Sequence, residues 1–253
     1  MEHPEKISIR FPKAYPIDDE KLNVLREQNT HLYLKKGRGN SLVLQGNDFS
    51  IEEQRVFLLR LNQFSGKMYE QASSLNKKKH YGIQYGGNLI YFEMGTFGLI
   101  SALTVAVTVG LFLWSQSKKS GRVYSEEGEY KLNDPEKPGE KIRVKPDVSF
   151  ISYEKASEQK QDKWLNSFID EAPTFAIEIV SSKYSLKITQ EKMVNMWMKS
   201  GTLIGLVINP FDKTIYIYEY GSSKPRKQNI LKPFTHPLLP GYSGDFSMYA
   251  DKF

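Results

Sequence analysis

The chain has no cysteine. That absence excludes disulfides, thiolate metal sites and cysteine nucleophiles, and it agrees with a reducing, cytoplasmic setting. Histidine is nearly as scarce: His3, His31, His80 and His236 show no metal-ligand spacing, which argues against a zinc or histidine-metal centre. No Gly-x-Ser-x-Gly elbow is present. Ser65-Gly66-Lys67 lacks the rest of a phosphate-binding P-loop, and Gly37-Arg38-Gly39 is too short for a dinucleotide fingerprint. The opening Met1 to Lys6 has no apolar core, so a secretion signal is not expected. A net charge of +6 over 253 residues is a modest excess that favours polyanions without requiring one.

Charge is also missing from Gly95 through Trp114. About 20 apolar residues are what a bilayer-spanning helix needs, so a membrane span is one reading. Ser101, Thr104 and Thr108, with Ala102 and Ala106 nearby, instead suit a helix packed closely on a sheet. A buried helix, with no membrane partner, is the expectation taken forward.

The most informative stretch runs from Lys145 to Pro210. It reads as a strand from Ile142 to Ile151 carrying Asp147, a strand from Phe175 to Val180 carrying Glu178, a helix from Leu186 to about Ser200, and a third apolar strand from Thr202 to Pro210. Ser185 is the expected N-cap and Gly201 the stop. An ionised acid inside an apolar run is costly without a partner, and two such acids in neighbouring strands suggest a site. Lys192, with Ile188 four residues before it and Met196 four after, lies in the apolar stripe of its helix and not on a charged face. Singly, each has a plain structural reading: Asp147 as a strand-end turn residue, Glu178 and Lys192 as an ion pair.

Pro146-Asp147-Val148-Ser149-Phe150, Phe175 to Ser181, Glu191-Lys192-Met193 and Leu206-Val207-Ile208-Asn209-Pro210, in that order, resemble the Uma-type branch of the PD-(D/E)XK restriction-endonuclease-like superfamily. Leu239-Pro240-Gly241-Tyr242 is similar to that family's closing motif. The resemblance implies an α/β fold with a mixed central sheet flanked by helices, here with an N-terminal α+β extension. It implies metal-dependent cleavage of DNA phosphodiesters, with Asp147, Glu178 and the Ile179 carbonyl on Mg²⁺ (Mn²⁺ as a substitute) and Lys192 beside the reacting water or phosphate. Asp147, Glu178 and Lys192 are the expected catalytic set. Nucleases of this kind often act as homodimers. The family commonly carries a further glutamate on an early hairpin; here Lys35 and Lys36 stand on one candidate hairpin, the second (Tyr81 to Phe92) offers no acid, and Glu93 is the nearest acid. A degenerate nucleic-acid-binding or interaction protein on the same fold is therefore the alternative.

Two units are expected, residues 1–80 as a helix and hairpin extension and 81–253 as the nuclease domain. In the first, a helix from Ile17 to Glu27 precedes a hairpin with a basic tip at Lys35 to Asn40. Ser50 and Glu53 form a capping box before Val56, Phe57, Leu59 and Phe64, predicting a second helix, and Gln71 to Lys79 reads as a loop. Later, Ser157 to Glu171 carries Trp164, Leu165 and Phe168 at helical spacing. The basic groups Lys35-Lys36-Arg38, Lys77-Lys78-Lys79 and Lys118-Lys119-Arg122 are candidates to line a DNA groove.

Overall fold

A computed structural model describes residues 7–46, 56–77, 81–86, 88–94, 98–222, 224–248 and 250–252. Ser50, Glu53, Lys78, Lys79 and His80, and the side chain of Glu93, lie outside what is described.

The N-terminal part folds as its local signals predict. Helix α1 (Asp19–Gln28) starts at Asp18, whose carboxylate accepts the Lys21 N–H at 2.8 Å, and Asp19 and Glu20 sit at the positive end of its dipole. Strands β1 (Ile7–Arg10), β2 (Leu32–Lys36) and β3 (Ser41–Gly46) form a three-stranded sheet in the order β1-β3-β2, with the basic tip between β2 and β3.

Two expectations fail just beyond it. Val56 to Phe64 is not a helix: β4 (Val56–Arg60) pairs antiparallel with β6 (Leu89–Met94). Phe57 and Leu59 face one core and Leu58 another, so the run is buried on both sides. Pairing of that kind overrides a local helix signal. Nor is Gln71 to Lys79 a loop throughout, because α2 (Gly66–Leu75) occupies its first half. Ser65 caps α2 by accepting from Met68 N, Tyr69 and Ala72 are buried, and Gln71, Ser73 and Ser74 form its polar face.

The segment from Ile142 to Ile151 is two strands in two sheets. Strand β9 (Lys141–Val144) belongs to a five-stranded sheet, ordered β4-β6-β5-β9-β8, with β5 spanning Tyr81–Gly86 and β8 Tyr130–Asn133. Strand β10 (Val148–Ser152) belongs to a six-stranded sheet, ordered β14-β13-β12-β11-β10-β7. Pro146 has no N–H to give to a ladder, so the chain changes sheets there. Asp147 stands at the corner.

The six-stranded sheet is built from β7 (Gly121–Ser125), β10, β11 (Phe175–Ile179), β12 (Ile204–Asn209), β13 (Thr214–Glu219) and β14 (Arg226–Asn229). Only β11 and β12 pair in parallel, and their connection carries α5 (Leu186–Lys192). This is the expected strand-helix-strand unit. Along β11 the side chains alternate: Phe175, Ile177 and Ile179 join one core cluster, while Ala176 and Val180 join the other. The first of these faces receives α3 (Gly98–Lys118), with Ile100, Leu103, Val107, Leu111 and Trp114 pointing inward, and the C-terminal tail through Phe234, Leu239, Tyr242 and Phe246. Trp114 Nε1 donates to Pro240 O at 3.2 Å, so the closing motif ties the tail to α3.

The expected helix between the acid strands shrinks to α4 (Glu158–Lys163) and a 3-10 turn, Trp164–Asn166. Trp164 is buried and donates to Asp170 at 2.9 Å, whereas Leu165 and Phe168 are exposed. The described residues thus form an α/β fold of three sheets and five α-helices, with the central six-stranded sheet mixed.

Candidate active site

Glu178 is the penultimate residue of β11 and faces α5. Its Oε2 accepts from Lys192 Nζ at 2.9 Å and its Oε1 from Trp197 Nε1 at 2.7 Å. The carboxylate and ammonium side chains are 4% and 3% exposed, so the pair is sealed from solvent. Each charge alone would be strongly unfavourable at that depth; together, with the indole N–H, they satisfy each other.

This convergence depends on an irregularity in the helix. The expected run to Ser200 is α-helical only to Lys192, after which Met193–Met198 form a π-helical turn. On a regular α-helix, residues five apart point about 140° away from each other. The wider π turn, closed by i to i+5 bonds, brings positions five apart toward the same side. Lys192 and Trp197 therefore both reach one carboxylate. Gly205 on β12 makes room for the widened turn, since a Cβ there would collide with the Met193 sulfur. Gly201 ends the segment with φ +99°, as its residue type predicts. Ser185 marks the start of α5, but its hydroxyl donates to Ser182 O and does not cap the helix.

Asp147 joins this arrangement through the backbone. The β10–β11 ladder ends with Val148 opposite Ile177, and Asp147 Oδ2 accepts the N–H of Ile179, two residues further along, at 2.5 Å. The aspartate is thus bonded to the residue that follows Glu178. Asp147 is half-buried at the end of a cleft of about 560 Å³ between α2 and the β5–β9 part of the five-stranded sheet. Glu178 and Lys192 are not among the residues that line that cleft.

The cleft walls are charged and internally paired. Arg143 Nε donates to Glu129 at 2.6 Å and Lys145 Nζ to Glu127 at 3.1 Å, while the Arg143 guanidinium lies 4.1 Å from the Phe168 ring centroid. Burial pushes the Tyr69 phenol up to about 12, so this wall residue stays protonated at neutral pH and offers no base. Gln84 on β5 is buried, and its Oε1 accepts the Lys145 N–H at 3.0 Å, which fixes the chain just before Pro146.

Of the sequence-derived residues, Glu178 and Lys192 meet directly, and Asp147 meets the Ile179 backbone. Among the three basic groups, Lys77 lines the cleft, Lys36 lies near Asp19, and Arg122 is bonded to Asp162. Gln84 and Trp197 were not singled out in the sequence. Gln84 lay in plain view on the second hairpin as an amide where an acid was sought, and Trp197 was hidden because a spacing of five signals no contact on an ordinary helix.

Among the described residues, no three His, Asp or Glu side chains cluster as a metal site. The donors near the corner are oxygens, the carboxylates of Asp147 and Glu178, of the hard kind that suits Mg²⁺ or Mn²⁺ and not zinc. Both oxygens of Glu178 are already engaged, by Lys192 and Trp197.

The mixed sheet thus carries one acid at its corner, a second on the adjacent strand and a lysine on the crossover helix. Residues 67–248 match the model of the family Uma2, described as "Putative restriction endonuclease", and the chain belongs to that family. A solved structure described as a putative nuclease, from Anabaena variabilis, superposes with a TM-score of 0.53 at 16% identity, covering 67% of this chain and 90% of that one. No curated protein matches the chain.

Proposed function

We propose that this protein is a metal-dependent endonuclease that hydrolyses DNA phosphodiester bonds. The observation that supports this reading best is the buried Glu178–Lys192 pair, braced by Trp197 and linked through Ile179 to the cleft residue Asp147. In this reading Asp147, Glu178 and the Ile179 carbonyl hold Mg²⁺, with Mn²⁺ as a substitute. When bound, a hard divalent cation supplies an activated water and neutralises charge on the phosphate. Lys192 pairs with Glu178 and supplies the nearby positive charge that favours a developing negative one. Trp197 fixes the rotamer of Glu178, and the N–H of Ile179 orients Asp147 toward the cleft. Lys77, Arg143 and Lys145 on the cleft walls are cations available to an approaching phosphate backbone.

One observation favours a second reading, a binding protein on the same fold. The hairpin side chain at the cleft is Gln84, an amide engaged with Lys145 N, where the family commonly carries an acid.

The test is nicking of supercoiled plasmid and cutting of single-stranded DNA with Mg²⁺, Mn²⁺ or EDTA, comparing the native chain with Asp147→Asn and Lys192→Ala. Nicking that needs the metal and is lost in both folded variants is the expected result. No cutting together with no heat of Mg²⁺ or Mn²⁺ binding would replace this reading with the second.

A further inference from the structure

The cleft that ends at Asp147 has a neighbour. A second cavity of about 310 Å³ opens at the N-terminal end of α2, and the two share Tyr69, Glu70 and Arg143 in their walls. Together they make one groove, with α2 on one side and β8 and β9 on the other. Alternation along β9 decides what that strand presents. Ile142 and Val144 point into the core, so Lys141 and Arg143 point outward, and the same alternation continues through Lys145 and the buried Pro146 to Asp147. Three cations spaced about 7 Å apart therefore lead to the acid at the sheet corner. Lys131, opposite Arg143 on β8, adds a fourth.

The two ends of the groove differ in charge. Near Asp147 the cations are answered, Arg143 by Glu129 and Lys145 by Glu127. At the other end Lys67 and Lys131 have no ion-pair partner among the described residues, and Lys141 donates to the neutral Asn133 at 2.5 Å. Glu140 accepts the Gly66 N–H at 3.0 Å, so the start of α2 is already closed and the positive charge here belongs to side chains.

An aromatic ring stands beside this line of cations. Ile169 bridges to Tyr130 and both are buried, which turns Phe168 to the open face. There the Arg143 guanidinium covers one side of its ring at 4.1 Å, and the residue is still 44% exposed. A duplex keeps its base faces stacked inside, whereas an unpaired strand offers phosphates and base faces together, and a cationic groove with exposed aromatic rings matches the second. Cavities of about 310 and 560 Å³ each have the size that holds one small molecule, which suits single nucleotides and not the width of a double helix.

We infer that a single strand of DNA runs through this groove, with its phosphates on Lys67, Lys131, Lys141 and Arg143, one base on the open side of Phe168, and the chain passing Lys145 to reach Asp147. The Lys145–Glu127 pair, whose glutamate is 83% exposed, is of the weak surface kind that a phosphate replaces. The choice of DNA rests on the nuclease reading; the groove adds the strand form and the contacts that hold it.

Binding measured on the full-length Asp147→Asn chain separates this inference from cutting. A fluorescein-labelled oligothymidine of about 12 nucleotides should bind, by anisotropy, about ten-fold more tightly than the same oligonucleotide paired with oligodeoxyadenosine. Lys67→Gln with Lys131→Gln should weaken strand binding about ten-fold and flatten the slope of log affinity against log salt by ~1.4, from ~0.7 for each phosphate contact of a single strand. Phe168→Ala should weaken it about five-fold or more with the salt slope unchanged, and Phe168→Tyr should restore it. Lys36→Gln, outside the groove, should alter neither quantity. No strand binding, a duplex bound as tightly as the strand, or undiminished binding by the Lys67, Lys131 double variant and by Phe168→Ala, each folded by circular dichroism, would overturn the inference. Strand binding with these signatures by a native chain that cuts nothing would remove the nuclease reading and leave the groove assignment standing; metal-dependent cutting without them would do the reverse.

Discussion

The two faces of the six-stranded sheet solve the same packing problem with opposite chemistry. Beneath α3, Phe150, Phe175, Ile177, Leu206 and Ile208 meet Ile100, Leu103, Val107 and Leu111 of the helix, and no charged side chain joins this core among the described residues. Beneath α5 the same strands enclose Glu178, Lys192 and the Trp197 indole among apolar neighbours, and the helix is distorted into a π turn to bring them together. A regular helix on an apolar face needs only volume and periodicity. Burying an ion pair needs directed partners, and here the backbone yields to supply them. Such a pair is weak evidence for stability, because well-packed apolar residues often replace it without loss. Its retention in a π-bulged helix beside a cleft is what a functional site would explain.

The sharpest way to break this contrast is Lys192→Met, which leaves Glu178 enclosed without its cation. A loss of about 3–5 kcal/mol in urea unfolding is expected, with most of it recovered in the Glu178→Leu, Lys192→Met double variant. If the double variant is as unstable as the single one, the pair supports the fold and the proposed contrast between the faces disappears. On the apolar face, Leu111→Ala removes a fully buried side chain and should cost about 2–5 kcal/mol by the cavity it leaves. Trp197→Phe keeps most of the ring volume but withdraws one hydrogen bond to a buried carboxylate. It should cost roughly 1.5–3 kcal/mol and, if Glu178 binds metal, alter Mn²⁺ affinity measured by calorimetry. The smallest change is expected for Leu113→Gln on the bare side of α3, within about 0.5 kcal/mol for dilute monomer. A loss well above that in urea unfolding would show that this side is not bare in solution.

Much of this was legible from periodicity and caps. The acids at the start of α1, Gly201 after the π turn and the apolar runs of β11, β12 and α3 each carry a local cause that the tertiary structure leaves unchanged. The errors share another cause. Val56 to Arg60 became a strand because β6 offered a ladder, Ile142 to Ile151 was divided because Pro146 falls where two sheets meet, and Gln71 to Leu75 is helical because Tyr69 and Ala72 found a core. Each turns on a partner distant in the chain.

For the candidate site the division is similar. The sequence by itself determined the ingredients: two acids in apolar surroundings, a lysine in an apolar stripe, an uncharged run from Gly95 to Trp114 and no cysteine or histidine chemistry to compete with them. These follow from composition and spacing, which the chain carries in any conformation. Only the tertiary structure decided that Glu178 takes both Lys192 and Trp197, that Asp147 reaches the Ile179 N–H from a sheet corner, that Gln84 holds Lys145, and that one side of α3 remains bare. The physical reason is that hydrogen bonds and burial depend on distances between residues 14 to 61 positions apart, which are set when the sheets assemble and are not encoded in any short stretch.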